Sequence, residues 1–178
     1  MAKKVKKVKK KYTLNELDKM STDEAQKLPF AVRDKLLDLV LADGRKIGGK
    51  QPKRQVGLMC DWFEEDVVRL QKIKAVKICC GGFIPVDSTG EVPTLDPQGQ
   101  IKQVFENAKA TIKKAGSNMD RVINSLIFMK NIDYWGQMND IYRKYIKCSP
   151  TRAAIGCQDL NKLYQIEIVN LFAYKVAK

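Results

Sequence analysis

Histidine is absent from this chain of 178 residues, and its absence limits the chemistry that the side chains can perform. Histidine is the residue most used as a general base near neutral pH, so mechanisms of the Ser-His-Asp and Cys-His type are excluded. The candidate thiols are Cys60, Cys79, Cys80, Cys148 and Cys157. Their odd number and the lack of a CxxC spacing argue against a disulfide framework or a zinc site, so we expect reduced, buried thiols and no metal.

The positive charge is concentrated in the N-terminal third of the chain. The sequence has 33 Lys and Arg against 20 Asp and Glu, a net charge of +13, and residues 1–55 hold 16 basic and 7 acidic side chains. Residues 56–178 hold the other 17 basic and 13 acidic side chains, a net of +4. A basic arm beside a nearly balanced domain indicates attachment or targeting, and RNA is a suitable polyanion. The candidate nucleic-acid contacts are Lys3, Lys4, Lys6, Lys7, Lys9, Lys10, Lys11, Arg45, Lys46, Lys53 and Arg54.

Residues 1–55 are predicted to form a basic, partly helical extension. The lysine run at 2–11 cannot bury apolar surface, so we expect it to be disordered, and a solubilising tail is the alternative to an anion-binding arm. The sequences TLNE at 13–16 and STDE at 21–24 both have the form of a capping box and predict short helices.

A longer helix is predicted after Pro29, where apolar residues recur at helical spacing. Gly44 is expected to end it. The stretch GRKIGGKQPKR at 44–54 is rich in glycine and basic residues, which predicts a linker and a domain boundary near residue 55.

Residues 56–178 are predicted to form one α+β domain with the element order ββαβαββ, because strand-like and helical patterns alternate. Two helices on one face of a mixed sheet would bury both apolar helix stripes. The predicted segments are strands within 75–85, a turn at 87–90, a helix from 101 to 116, a central strand at 122–129, a helix from 133, and strands at 152–157 and 164–176.

The second of these helices carries a stripe of aromatic and other large apolar residues. A base-stacking platform for nucleic acid is one interpretation, but the helical spacing favours packing against the sheet. The stripe consists of Tyr134, Met138, Ile141, Tyr142 and Tyr145.

Four blocks of the sequence resemble the RidA/YjgF family of reactive intermediate deaminases, also labelled the endoribonuclease L-PSP family. They cover nearly all of residues 74–175, and their order, spacing and residue types agree, whereas residues 1–65 lie outside the resemblance. The blocks are GGFIPVDSTGEVP at 81–93, NAKATIKKAGSNMDRVINSLIFMKNIDYWGQMNDIYRKYI at 107–146, PTRAAIG at 150–156 and YQIEIVNLFA at 164–173.

The resemblance implies a chorismate-mutase-like (YjgF) fold that assembles as a homotrimer around a central barrel, with the active clefts between subunits. Members of the deaminase branch hydrolyse reactive 2-imino acids to 2-keto acids and ammonia without a metal or cofactor. A hydrolase similar to the 2-iminobutanoate/2-iminopropanoate deaminases is therefore the expected enzyme.

Three residues match functional positions of that family. Arg152 matches the arginine that receives the substrate carboxylate, Glu167 the glutamate that positions the attacking water, and Asn139 an asparagine that lines the cleft. Each also has an ordinary structural interpretation: an interfacial salt bridge for Arg152, an outward carboxylate on an alternating strand for Glu167, and a solvent-facing helix position for Asn139.

The chain departs from the deaminase pattern around the expected cleft. The usual Ser-Gly-Gln before Ile-Pro is Gly81-Gly82-Phe83, a frequent cysteine is replaced by Ala154, and no Gly-Pro-Tyr segment supplies an aromatic lid. Gly81, Phe83 and Ala154 remain candidate substrate-binding positions. Losing a hydroxyl donor and a stacking ring is expected to lower the rate without abolishing it.

Two other functions remain open from the sequence. An RNA-associated role, as an endoribonuclease or as a subunit of an RNA-rich assembly, would use the basic arm, and a trimer without catalysis would bind a small carboxylate. No stretch is long and apolar enough to predict a membrane span. We expect a cytoplasmic protein, with a mitochondrial or nuclear location left open by the arm.

Overall fold

The computed structural model describes residues 11–47, 64–148, 150–158, 160–161 and 163–178. None of the helices described is long and apolar enough to cross a membrane. The helices are α1 (Leu14–Lys19), α2 (Thr22–Lys27), α3 (Phe30–Ile47), α4 (Glu64–Lys72), α5 (Pro97–Lys114) and α6 (Trp135–Tyr145). The strands are β1 (Ala75–Cys79), β2 (Val122–Met129), β3 (Thr151–Gly156) and β4 (Ile166–Val176).

The strands form a four-stranded mixed sheet in the order β1-β4-β2-β3. Strand β4 is antiparallel to both β1 and β2, whereas β2 and β3 are parallel. A parallel pair needs a crossover, and α6 supplies it. The predicted α+β class and the predicted central strand at 122–129 are confirmed.

One face of the sheet, the helix face, is covered by α5 and α6. Asp96 caps α5 by accepting a hydrogen bond from the backbone N–H of Gly99, and a left-handed Gly116 (φ +81°) follows the helix end as predicted. The aromatic and apolar stripe of α6 packs into the same core: Met138 and Tyr142 are buried, and the other members are partly buried against it. The core interpretation is confirmed for Met138 and Tyr142, whereas Tyr134, Ile141 and Tyr145 also keep part of their surface exposed.

The extension covers part of the opposite face of the sheet, here called the open face. Both capping boxes are present, at Thr13 and Ser21, so α1 and α2 begin where the sequence predicts. A second core forms where α1 to α4 meet this face. Its buried members are Leu17, Ala25, Leu36, Leu37, Val40, Leu41, Leu70, Ile73, Ile123 and Val176.

A buried arginine ties the extension to the sheet. Arg121, just before β2, is 5% exposed and donates to the carboxylates of Asp38 (2.8 Å) and Asp34 (2.9 Å) on α3. Burial by itself lowers the pKa of the guanidinium, but the hydrogen bonds to the two carboxylates outweigh it, and the pKa is raised. The contact joins residues more than 80 positions apart in the chain.

Three sequence predictions need correction. The predicted order ββαβαββ is wrong before α5. Within the described part of the chain a helix, α4, comes first and β1 is the one strand that follows it, because Phe83 pairs with Ile168 only as an isolated bridge. Helix α3 continues past Gly44 to Ile47. The prediction of buried thiols fails for Cys79, which is exposed, and Cys80, Cys148 and Cys157 are only partly buried. Cys60 lies outside the described residues.

The packing of the extension predicts a contrast between two leucines of α3. Leu37 is fully buried and Leu39 is 43% exposed. We expect Leu37→Ala to lower the free energy of unfolding by about 2–5 kcal/mol because it leaves a cavity, and Leu39→Ala to change it by no more than about 0.5 kcal/mol. Urea unfolding of the full chain measures both, and equal effects would contradict the observed packing.

Candidate functional site

Arg152 lies on β3, an edge strand of the sheet. Its register partner on β2 is Ser125, a buried residue of the helix face, so Arg152 points to the same face. The guanidinium carbon lies 4.6 Å from the centroid of the Tyr142 ring on α6. A cation over the face of an aromatic ring is attracted by the ring quadrupole, so this stacking fixes the position of Arg152.

The ring beneath Arg152 is itself held in place. The Tyr142 hydroxyl lies 3.2 Å from the Ser125 hydroxyl, close enough for a hydrogen bond in either direction. Burial raises the pKa of the Tyr142 phenol, and this effect outweighs the lowering by the hydrogen bond with Ser125 and by the positive charge of Arg152. The net pKa is raised, so the side chain remains a neutral phenol. Neither Tyr142 nor Ser125 was predicted as a site residue. The sequence signal that could have indicated Ser125 is a serine within an otherwise mostly apolar central strand.

The guanidinium of Arg152 has no carboxylate partner among the residues that the structure describes. Two other arginines differ: Arg69 contacts Asp18 and Asp43, and Arg121 contacts two aspartates. Arg152 lines a groove of about 490 Å³, the arginine groove, together with Tyr142, Arg143, Ile146, Lys147, Cys148 and Pro150. The N–H donors of the Arg152 guanidinium are therefore available to an anionic ligand.

Two further predicted residues lie on the same side of the sheet. Asn139 is on α6, one turn before Tyr142, and is 4% exposed, so the solvent-facing interpretation of this residue is wrong. Ala154, two residues beyond Arg152 on β3, is partly buried against the helix-face core. Arg152, Asn139 and Ala154 lie on the helix face and are here called the arginine half of the candidate site.

Glu167 lies on β4, between two residues of the helix-face core. Ile166 and Ile168 are fully buried there, so Glu167 points to the open face, and its register partner on β2 is Phe128. The Gly81–Phe83 segment runs beside it: the backbone N–H of Phe83 donates to the Ile168 carbonyl at 2.7 Å, and a Cβ at Gly82 would lie 3.6 Å from Glu167 Oε1.

The departures from the family pattern at positions 81 and 83 have different structural consequences. Gly81 has a φ of +73°, in the left-handed region, and no neighbour lies within 4 Å of where a Cβ would stand. The side chain of Phe83 is 6% exposed and belongs to the helix-face core. Phe83 therefore fills the interior next to the glutamate half of the site, formed by Gly81, Gly82 and Glu167.

The two halves do not meet within one chain. Arg152 and Tyr142 lie on the helix face of the sheet, and Glu167 lies on the open face. The sheet itself stands between the guanidinium and the carboxylate. A single protomer thus presents two separate half-sites, each with an ionisable group and an adjoining surface.

Most of the predicted nucleic-acid contacts fall outside the part of the chain that the structure describes. Lys3, Lys4, Lys6, Lys7, Lys9, Lys10, Lys53 and Arg54 lie outside the described residues. Lys11 is exposed at the start of the described chain, and Arg45 and Lys46 belong to the last turn of α3, where their side chains are not described.

Comparison with known sequences supports the family resemblance. The family model described as endoribonuclease L-PSP matches residues 70–174. A RutC family protein from Pyrococcus horikoshii is 36% identical over 108 residues, which are 59% of this chain and 85% of that protein. TdcF of Escherichia coli, provisionally named a reactive intermediate deaminase, is 30% identical over 92 residues, 49% of this chain and 70% of TdcF.

Solved structures agree with the sequence comparison. A Thermotoga maritima protein, provisionally described as an endoribonuclease, superposes with a TM-score of 0.53 at 27% identity and covers 58% of this chain and 86% of its own. TdcF crystallised with bound serine gives a TM-score of 0.51 at 27% identity, over 57% of this chain and 87% of TdcF. The sequence blocks, the mixed sheet with two helices on one face and these matches agree: the chain belongs to the RidA/YjgF family, whose family model is described as endoribonuclease L-PSP.

Proposed function

We propose that this protein hydrolyses reactive 2-imino acids to 2-keto acids and ammonia. Family membership supports a reactive intermediate deaminase-like role. The observation that carries the proposal is Arg152, an arginine stacked on Tyr142 at an open groove without a carboxylate partner among the described residues. TdcF, a relative, was crystallised with serine, a molecule that carries the same α-carboxylate group as a 2-imino acid.

Arg152 binds the substrate carboxylate in this proposal. A guanidinium presents two parallel N–H donors, which match the two oxygens of a carboxylate, and it stays charged at any physiological pH. The imine carbon lies next to the carboxylate in a 2-imino acid. Binding the carboxylate at Arg152 therefore places the reacting carbon within a few ångströms of the guanidinium, in the cleft.

Glu167 acts as the general base. Its carboxylate accepts a proton from a water molecule while the water oxygen forms a bond to the imine carbon, and the C=N π electrons move to nitrogen, which takes up a proton. Glu167 gives its proton to that nitrogen, and in the tetrahedral carbinolamine it then transfers the hydroxyl proton to the amine as the C–N bond breaks and the C=O bond forms. Ammonia leaves, and a 2-keto acid remains. No electron acceptor or cofactor is needed, because the net reaction is addition of water and loss of ammonia.

The proposed reaction requires a second copy of the chain, because Arg152 and Glu167 lie on opposite faces of the sheet in one protomer. We propose a homotrimer in which the arginine half of one protomer faces the glutamate half of its neighbour. The open face near Glu167 supports such a contact: Ile155 is 43% exposed there, and Phe128 is partly exposed. Phe128 and Ile155 are register partners on neighbouring strands, so they form one apolar patch, and an exposed apolar patch is typical of an interaction surface.

The first prediction about activity concerns Arg152. We expect Arg152→Ala to lower kcat/KM for enzymatically generated 2-iminobutanoate by roughly 10- to 150-fold, which corresponds to losing about 1.5–3 kcal/mol of charged hydrogen bonding. Arg152→Lys keeps the positive charge but loses the bidentate geometry, so its activity is expected to fall between that of wild type and that of Arg152→Ala. Ammonia release and keto-acid formation measure the rate.

Lys35→Ala provides the matched control, because Lys35 is an exposed cation on α3, far along the chain from both half-sites. It removes the same charge and is expected to leave kcat/KM unchanged. Equal rates for wild-type protein, Arg152→Ala and buffer would exclude the deaminase. Retained binding of a small carboxylate by a protein without hydrolysis would instead favour the carboxylate-binding alternative.

A mixing experiment tests whether the two half-sites come from different protomers. Arg152→Ala and Glu167→Gln are each expected to be nearly inactive alone. When they are co-expressed as mixed trimers, about one cleft in four joins an intact Arg152 to an intact Glu167, so we expect roughly a quarter of the wild-type activity. Light scattering measures the mass of the assembly. No recovery in mixed trimers, or a monomeric mass, would exclude the shared cleft.

A further inference from the structure

A second groove lies between α5 and α6, apart from the two half-sites. It has a volume of about 920 Å³ and shares no lining residue with the arginine groove. Lysine side chains line it from both helices. We call it the lysine groove, and its principal residues are Lys102, Lys109, Lys113, Lys144, Ile141 and Tyr145.

The charge of the lysine groove is strongly positive. Its lining contains four lysines and one acidic residue, Asp96, whose carboxylate accepts a hydrogen bond from the Gly99 backbone as the cap of α5. Lys109 lies 3.7 Å from Glu106, whereas Lys102, Lys113 and Lys144 have no carboxylate within ion-pair distance in the described chain. The groove therefore attracts an anion, and three of its cations remain available to bind one.

The spacing of the lysines fits an extended anion better than a small one. Lys102 and Lys113 are separated by 11 positions on α5, or about 16 Å at the usual rise of an α-helix. A single carboxylate or phosphate cannot reach both. Lysine ammonium groups act as mobile point charges that suit phosphates, and a concave groove accepts a chain where a flat membrane surface does not fit.

An aromatic ring with a fixed orientation lies among these lysines. Tyr145 stacks on Phe105, with ring centroids 5.4 Å apart and 19° between the planes, and its hydroxyl donates to Glu106 at 2.7 Å. Lys109 Nζ lies 5.8 Å from the Tyr145 ring centroid. Burial, followed by the bond to Glu106, raises the pKa of Tyr145 to about 12, so the phenol adds no negative charge to the groove.

We propose that the lysine groove binds single-stranded nucleic acid, with phosphates on Lys102, Lys113 and Lys144 and one base stacked on Tyr145. Cations that follow a backbone, combined with an aromatic ring for a base, are the recurrent means of binding single strands without sequence preference. The site is independent of imine hydrolysis because it shares no residue with either half-site. It also differs from a basic N-terminal arm, because it lies on the folded domain.

The test compares two triple variants of the full chain by fluorescence anisotropy. The groove variant is Lys102→Ala with Lys113→Ala and Lys144→Ala; the control variant is Lys19→Ala with Lys27→Ala and Lys35→Ala, which removes the same charge from exposed positions of α1 to α3. The probes are labelled single-stranded RNA and DNA of about 12 nucleotides. We expect the groove variant to bind at least about tenfold more weakly and to lose about 2 units of the slope of log K against log salt.

The control variant is expected to bind within about twofold of wild type at the same ionic strength, because only unspecific charge is lost. RNA and DNA are both expected to bind, since phosphate contacts and stacking do not read the 2′-hydroxyl. Equal weakening by the two triple variants, or failure of wild type to bind either probe at low salt, would overturn the proposal.

A pair of Tyr145 variants separates a single strand from other polyanions. Tyr145→Phe keeps the ring and is expected to bind normally, whereas Tyr145→Leu is expected to weaken oligonucleotide binding about fivefold or more. Binding of inorganic polyphosphate, which has no bases, should not change in either variant. If Tyr145→Leu leaves oligonucleotide binding intact, or if anionic vesicles or an acidic peptide compete as well as the oligonucleotide, the groove does not bind single strands as proposed.

Thermal unfolding of each variant and the rate of imine hydrolysis provide the structural controls. The groove variant is expected to keep the wild-type melting temperature within about 2 °C, because exposed lysines contribute little to stability. Since no groove residue belongs to a half-site, its deaminase rate is also expected to equal that of wild type. A coupled loss of nucleic-acid binding and deaminase activity would contradict the independence of the two sites.

Discussion

Successive side chains of a β-strand point to opposite faces of the sheet, and this alternation decides where each functional group of the protein can act. The helix face is buried by α5 and α6, and part of the open face is buried by α1 to α4. Arg152 belongs to the first face and Glu167 to the second. Chemistry that needs both groups must therefore involve more than one protomer.

The extension is more than a basic tail in the part that the structure describes. Its helices bury Leu36, Leu37 and Val40 against the sheet, and two of its aspartates hold the buried Arg121. A buried arginine needs such partners, because leaving the charge unpaired would be costly. The extension consequently covers the end of the open face around Ile123 and Val176, whereas at the other end Ile155 is exposed and Phe128 is partly exposed.

The two grooves differ in the chemistry of their cations. The arginine groove holds one guanidinium in place over an aromatic ring, which suits a small planar carboxylate. The lysine groove spreads flexible ammonium groups along a helix, which suits a chain of phosphates. The Tyr stripe of α6 serves both grooves, because Tyr142 lies under Arg152 and Tyr145, one turn later, lines the other groove. One helix thus lines two grooves whose cations differ in kind.

The sequence by itself determined the local elements and the family. Capping boxes at Thr13 and Ser21, the left-handed Gly116 and the apolar run of β2 depend on residues a few positions apart, so they can be recognised without the fold. Arg152 and Glu167 could be named in advance because the family blocks contain them.

Only the tertiary structure decided which face each residue occupies and what the extension contacts. Strict alternation along β4 would place Glu167 and Leu171 on the same face, but a register shift opposite Leu126 and Ile127 sends Leu171 into the helix-face core. The contact between Arg121 and α3 joins distant parts of the chain. Pairing and packing at such separations depend on the whole fold, and no local pattern in the sequence encodes them.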